Sequence, residues 1–230
     1  MKKKTINVVS TAILSLFLVI LVITFSIGLP IYFRHFYYMQ IENLGIPEKT
    51  GHTVSEIKEA YNEVLDFLVL PNREFGTGVF KWSEEGKSHF ADCKKLFNLN
   101  LVLFIISLAV VVTSFVLHKK KIVKICRPCG YNFTFICGIS TLVFFALLGG
   151  LCSIDFDTAF TIFHALFFPG KDNWLFDPRE DQIINAMPQN FFMNCAILIA
   201  SSIILISLAF IVYGIIEKEK EKRLNRRFLH

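Results

Sequence analysis

Two histidines in this chain stand where an imidazole could move a proton. His164 follows Phe163 at the edge of an aromatic run. Apolar surroundings favour the neutral, proton-accepting ring, whose ordinary pKa lies near about 6.5. The same position also suits an interfacial imidazole bonded to a backbone carbonyl. His89 and Asp92 are three residues apart and share a helix face. A carboxylate beside an imidazole fixes its tautomer and stabilises its charged form, and the same spacing also fits a solvated contact. Asp155, Asp157, Asp177 and Asp181 are residue types that cap helices and make turns.

Other chemistries lack their parts. The sequence has no HExxH, GxSxG, Walker A or glycine-rich dinucleotide fingerprint, which argues against a zinc protease, a serine hydrolase of that class and an ATPase. Cys126-Arg127-Pro128-Cys129 is a lone CxxC with no second pair or suitable His for a tetrahedral site, and reads as incidental. The six cysteines form no closely spaced framework, so no structural disulfide is expected.

The elements that must position these histidines are membrane helices. Of the 230 residues, 53% are hydrophobic and 25 are Phe, and mean hydropathy is +0.52, a balance a soluble domain could not hide from water. Four stretches free of Asp, Glu, Lys and Arg are long enough for the roughly 20 apolar residues a span needs. Their cores are placed near 7–33, 97–117, 132–153 and 191–216. The predicted fold class is an all-α membrane protein with four transmembrane helices and two extracellular helical segments capping the bundle. Without charges in the spans, a proton or ion relay lacks its usual groups, which disfavours a transporter.

Charge distribution sets the expected orientation. The N-terminal lysines, the 118–131 loop and the 217–230 tail carry 14 basic and 3 acidic residues, against 10 basic and 16 acidic in the other two loops. Basic segments beside spans stay in the cytoplasm, so both termini are expected inside, with 34–96 and 154–190 outside. The net charge of +5 then reads as topology and contact with anionic headgroups, implying no nucleic-acid partner. The N-terminal apolar run is too long for a signal-peptide core and reads as an uncleaved first span, 1–33.

Within 34–96, Thr53-Val54-Ser55-Glu56 has capping-box spacing, and Val54, Ile57, Tyr61, Val64, Leu65 and Leu68 recur at helical period. That helix should end before Pro71. Glu74 to Trp82 reads as a flexible loop whose Phe80 and Trp82 suit the interface. Ser83 to Phe97 should turn helical and run into the second span. Within 154–190, Phe156, Phe160, Phe163 and Phe167 form one apolar stripe of a helix on the outer membrane surface, stopped by Pro169-Gly170. An acidic loop, Lys171 to Asp181, follows with an interfacial Trp174.

Two stretches carry a resemblance: SHFADCKKLF, Ser88 to Phe97, and FTIFHALFFPGKDNWLFDPREDQIINAMPQNFF, Phe160 to Phe192. With the four-span layout they resemble the Firmicutes membrane-protein family that includes the lipoprotein intramolecular transacylase. The second stretch is the specific one, fixing a His, a Trp, an Asp-Pro, another Asp and a Pro-x-x-Phe-Phe in order. The first departs from the pattern at Cys93, where a Val is expected between Asp92 and Lys94; both are small and apolar.

The resemblance implies an acyltransferase of the bacterial cell membrane whose substrate is a diacylglyceryl lipoprotein in the phospholipid bilayer. The sn-2 acyl chain would move to the α-amine of the lipoprotein's N-terminal cysteine, giving a lyso-form, with the active site on the extracellular face. It places the two signature histidines on His164, expected as base, and His89, expected as partner or as acid to the departing glyceryl oxygen, supported by Asp92. Phe160, Phe163 and Phe167 would grip acyl chains, and Trp174, Asp177 and Asp181 would shape the mouth. Converting ester to amide within one molecule requires no cofactor, metal or enzyme nucleophile. Two other readings remain: a membrane scaffold or sensor using the basic tail, and a metal-dependent hydrolase using His89, His164 and nearby Asp.

Overall fold

A computed structural model describes the backbone of residues 2–127 and 130–227. The CxxC reading lies partly outside the described residues, because Pro128 and Cys129 are not among them. Cys93, Cys126, Cys137, Cys152 and Cys195 are free thiols. Among the described residues the regular structure is helical: α1 (Lys2–Tyr32), α2 (His35–Tyr38), α3 (Ile46–Thr50), α4 (Val54–Val69), α5 (Glu84–Lys119), α6 (Phe133–Ile154), α7 (Phe156–Phe167), α8 (Ile183–Ala186) and α9 (Gln189–Arg227). Four of them, α1, α5, α6 and α9, are long and apolar enough to cross a membrane. Helices suit that solvent because they satisfy their backbone polar groups internally.

The chain divides into two compact units. One comprises Met1–Ser26, Val102–Leu151 and Ala200–His230. Leu14, Leu18, Val111, Phe133 and Cys137 form its buried cluster. Helices approach closely at Gly138, where an added Cβ would lie 2.7 Å from the Ser207 carbonyl oxygen. Polar groups close one end: the Cys126 amide donates to Thr11 Oγ1 at 2.9 Å, and Arg127 pairs with Glu217 and Glu221. Outward-facing Phe144, Leu147 and Leu151 are 61%, 66% and 69% exposed, a surface for lipid rather than water.

The other unit comprises Ile27–Leu101 and Cys152–Ile199 and holds the histidines. Its core is built around α4. Thr53 Oγ1 accepts from the Glu56 amide while Glu56 reaches back to the Thr53 amide, a complete capping box. The helix then buries Ile57, Ala60, Tyr61, Val64, Leu65 and Leu68. Tyr37 stacks on Tyr61 at 3.9 Å and donates its hydroxyl to the Ala186 carbonyl at 2.7 Å. The buried polar tip of Tyr37 thus finds a partner.

The 74–82 stretch departs from the expected flexible interfacial loop. Phe80 is 5% exposed and packs edge-on against His52 at 5.0 Å. Thr77 donates to the Phe80 carbonyl at 2.6 Å. Gly78 adopts φ +56 and sits so close to Ala60 that a Cβ would be 3.1 Å away, which glycine alone accommodates without strain. The loop is pinned because its apolar residue belongs to the core. Trp82 remains 38% exposed.

Candidate active site

His89 stands on α5, in the Glu84–Lys95 portion that precedes the charge-free span. Ser83 caps that helix, accepting from the Gly86 amide at 2.9 Å. Asp181 locks the cap from the other side of the sequence, accepting from the Ser83 amide and hydroxyl, each at 2.8 Å. It is 5% exposed, and a side chain at Gly86 would collide with its carboxylate. Asp181, expected to shape a substrate mouth, instead has both oxygens engaged at the start of the helix that carries His89, where a negative charge also suits the dipole.

His164 stands on α7, whose N-cap Asp155 accepts from the Thr158 amide at 3.0 Å. The expected stripe is corrected here. The inward face runs Phe160, His164, Phe168, with His164 6% and Phe168 4% exposed, whereas Phe163 and Phe167 are 47% and 46% exposed beside Ile162 and Leu166. The helix is apolar on both faces, so the spacing of its phenylalanines does not identify the packed one.

The two imidazoles meet, their ring centroids 5.7 Å apart. Trp174 stacks on His164 at 4.3 Å, Phe160 lies at 4.3 Å, and Phe168 and Phe176 approach His89 at 5.0 and 5.5 Å. His164 Nδ1 lies 2.7 Å from the Phe160 carbonyl oxygen. A carbonyl only accepts, so Nδ1 carries the proton and Nε2 keeps the lone pair. The hydrogen bond of the interfacial reading is thus present, and it is what frees Nε2. Burial lowers the pKa of His164, with the Phe160 bond opposing it.

His89 is 7% exposed. Burial, then the neighbouring His164, lower its pKa to about 4, against an opposing pull from Asp92. Its Nε2 contacts Cys93 Sγ at 3.4 Å. Its Nδ1 is buried without a hydrogen-bond partner, as is the Asn173 side-chain oxygen; Asn173 lies close enough to favour the charged ring, though no bond of ordinary geometry joins them.

Asp92 does not hold the imidazole. Its buried carboxylate pairs with Lys171 and Lys95 and accepts from Asn173 Nδ2 at 3.4 Å. The lysine hydrogen bonds bring its pKa down to about 2. Asp92 therefore ties the 171–174 turn to α5, and Trp174 Nε1 closes that turn on the Lys171 carbonyl at 3.2 Å. Asp177 sits apart in a two-pronged pair with Arg179, which holds its pKa down at about 2. Among the described residues no three His, Cys, Asp or Glu side chains converge as metal ligands.

Residues 12–192 match the protein family described as lipoprotein intramolecular transacylase Lit. The chain belongs to that family. Membership makes it an acyltransferase rather than a scaffold or sensor. The fold is similar to the membrane-integral Lit of Bacillus cereus, with a TM-score of 0.84 and 25% identity over 96% of this chain and 99% of that one. Structures of the Bacillus cereus protein with one histidine changed to arginine or alanine match at TM-score 0.78 and 24% identity, over 96% of this chain and 96% and 97% of theirs. No curated protein sequence matches the chain.

Phe168, Phe176, Lys171 and Asn173 also stand at the site of this Lit family member, with no signal in the sequence that marks them. The Lys-Asp-Asn-Trp run was visible, but nothing local to it indicates that Lys171 and Asn173 reach Asp92. Cys93 was visible only as a departure from the family pattern.

Proposed function

We propose that this Lit family member moves the sn-2 acyl chain of a diacylglyceryl lipoprotein to the α-amine of that lipoprotein's N-terminal cysteine, at the outer face of the bacterial cell membrane. The observation that carries this reading is the pair of buried imidazoles 5.7 Å apart within an aromatic wall. The amine nitrogen attacks the ester carbonyl carbon, a C–N bond forms, and the bond to the glyceryl oxygen breaks. One proton leaves the nitrogen and one reaches the departing oxygen, so an amide and a free hydroxyl result. His164 Nε2 serves as base, and His89 faces the ester. The task is modest, because a free α-amine has a pKa near about 8. Nucleophile and electrophile share a molecule, so the barrier is one of ordering, which a closed aromatic site supplies. The energy of ester-to-amide conversion requires no cofactor or nucleotide.

Outward Phe163 and Phe167 meet the bilayer and its acyl chains, while Phe160 and Trp174 line the reacting centre. The acidic balance of the two loops and the basic 118–131 and 217–230 segments support an outer site with both termini inside. The test uses the purified full chain in bilayer discs with a diacylglyceryl lipopeptide, read by mass spectrometry with fragment localisation. Acyl migration leaves total mass unchanged and puts the acyl group on the α-amine. Loss of a fatty acid, or an unaltered lipopeptide, would refute the proposal.

A further inference from the structure

His89 is held by two neighbours that differ in hydrogen-bonding character. On its Nε2 side lies the Cys93 thiol at 3.4 Å, one helical turn along α5. Burial pushes that thiol up to about 12, so at neutral pH the sulfur carries its hydrogen and can donate it. Asn173 stands close enough to the ring to favour its protonated form, and its side-chain oxygen, which can only accept, is buried without a hydrogen-bond partner, as is His89 Nδ1. The amide end of Asn173 faces Asp92 and Ser88, each at 3.4 Å, which fixes which end of the side chain is the oxygen.

A neutral imidazole carries one proton. Placed on Nε2, it would meet the sulfur, a weak acceptor, and leave both Nδ1 and the buried amide oxygen as acceptors without a donor. Placed on Nδ1, it supplies a donor to a cluster whose unpartnered oxygen can only accept, and Nε2 is left to accept from the thiol. Both neighbours favour the second arrangement.

We infer that Cys93 and Asn173 act as positioning residues that hold His89 as the neutral tautomer protonated on Nδ1, making it a hydrogen-bond donor to the ester rather than a second base. The two histidines then divide the labour. His164 offers a lone pair at Nε2, and His89 offers an N–H at Nδ1. The donor can turn to the carbonyl oxygen as negative charge develops there, where a preorganised N–H is most effective. This role rests on the proposed transacylation; the tautomer does not. The valine expected at position 93 from the family resemblance would give Nε2 no hydrogen.

The test is nitrogen NMR of the full chain with labelled histidine, in detergent or discs, with His89 assigned by the signal lost in His89→Gln. The wild type is expected to show a protonated Nδ1 and an unprotonated Nε2 at His89. Cys93→Val should let the other tautomer appear, Cys93→Ser should preserve the original one, and Asn173→Leu should weaken the preference. Alongside, lipopeptide conversion should fall about fivefold in Cys93→Val and stay within about twofold in Cys93→Ser, the loss of one weak hydrogen bond. A wild-type His89 protonated on Nε2, or a tautomer unmoved by both Cys93→Val and Asn173→Leu, would overturn the assignment. If the tautomer is as expected but the wild type leaves the lipopeptide unconverted, the transacylase proposal fails and the assignment stands. If it converts the lipopeptide with the opposite tautomer, the assignment alone fails.

Discussion

The α4 core and the histidine cluster lie in the same compact unit and are buried to similar depth, yet they treat polar groups in opposite ways. Around α4, Tyr37 is fully buried and its hydroxyl is spent on the Ala186 carbonyl. Around His89, the imidazole Nδ1 and the Asn173 oxygen are buried without partners. An unpaired buried polar atom costs about 1–3 kcal/mol, so a region that keeps two is organised for something besides stability. The first region holds the scaffold, and under the proposed function the second keeps hydrogen-bonding capacity for a substrate.

That contrast can be broken at its scaffold side first. Tyr37→Ala removes a stacked ring and a buried hydrogen bond, and should destabilise the protein by about 3–5 kcal/mol, read as a lowered thermal unfolding midpoint in discs. Its histidines should still act at temperatures where the fold survives.

Acid should expose the site's cost next. The folded pKa of His89 is about 4, below the roughly 6.5 of an unfolded chain. As pH falls below about 6.5 the unfolded state takes up its proton first, so stability present above that value is lost progressively down to about pH 4, by an order of 3 kcal/mol. Unfolding midpoints measured from pH 7 to 4 should fall in the wild type and fall less in His89→Gln.

A smaller effect is expected at the helix start. Asp181→Ala removes both acceptors from Ser83 and should lower stability by about 1–3 kcal/mol, with conversion reduced through misplacement of His89. Equal stability of variant and wild type would return Asp181 to a substrate role. The smallest effect belongs to the outward face of α7, where Phe163→Leu and Phe167→Leu should leave conversion within about twofold in a turnover assay, since both rings keep an apolar replacement toward lipid.

Local signals were legible from the chain. The capping box at Thr53, the run of α5 into an apolar span and the stop after Phe167 all follow from short-range rules that tertiary structure does not override. His89 and His164 were singled out by position and family pattern, and the structure brings them together. What could not be read depends on contacts 79 to 98 residues apart in sequence: Lys171 on Asp92 and Asp181 on Ser83. The packed face of α7 was illegible for another reason. With lipid on one side and protein on the other, both faces are apolar, and the period that separates core from water in a soluble helix loses its contrast. Phe80 was assigned to the interface on residue type, whereas its place in the core is fixed by the Thr77 and Gly78 turn.

The central claim is that the paired imidazoles act on one lipopeptide. It is tested most directly by comparing wild type, His164→Ala and His89→Ala in bilayer discs, reading the rate at which the acyl group appears on the α-amine. The account predicts that His164→Ala is slower by about 100-fold or more with its thermal unfolding midpoint kept at neutral pH, and that His89→Ala is also impaired. Conversion by His164→Ala at the wild-type rate would contradict it.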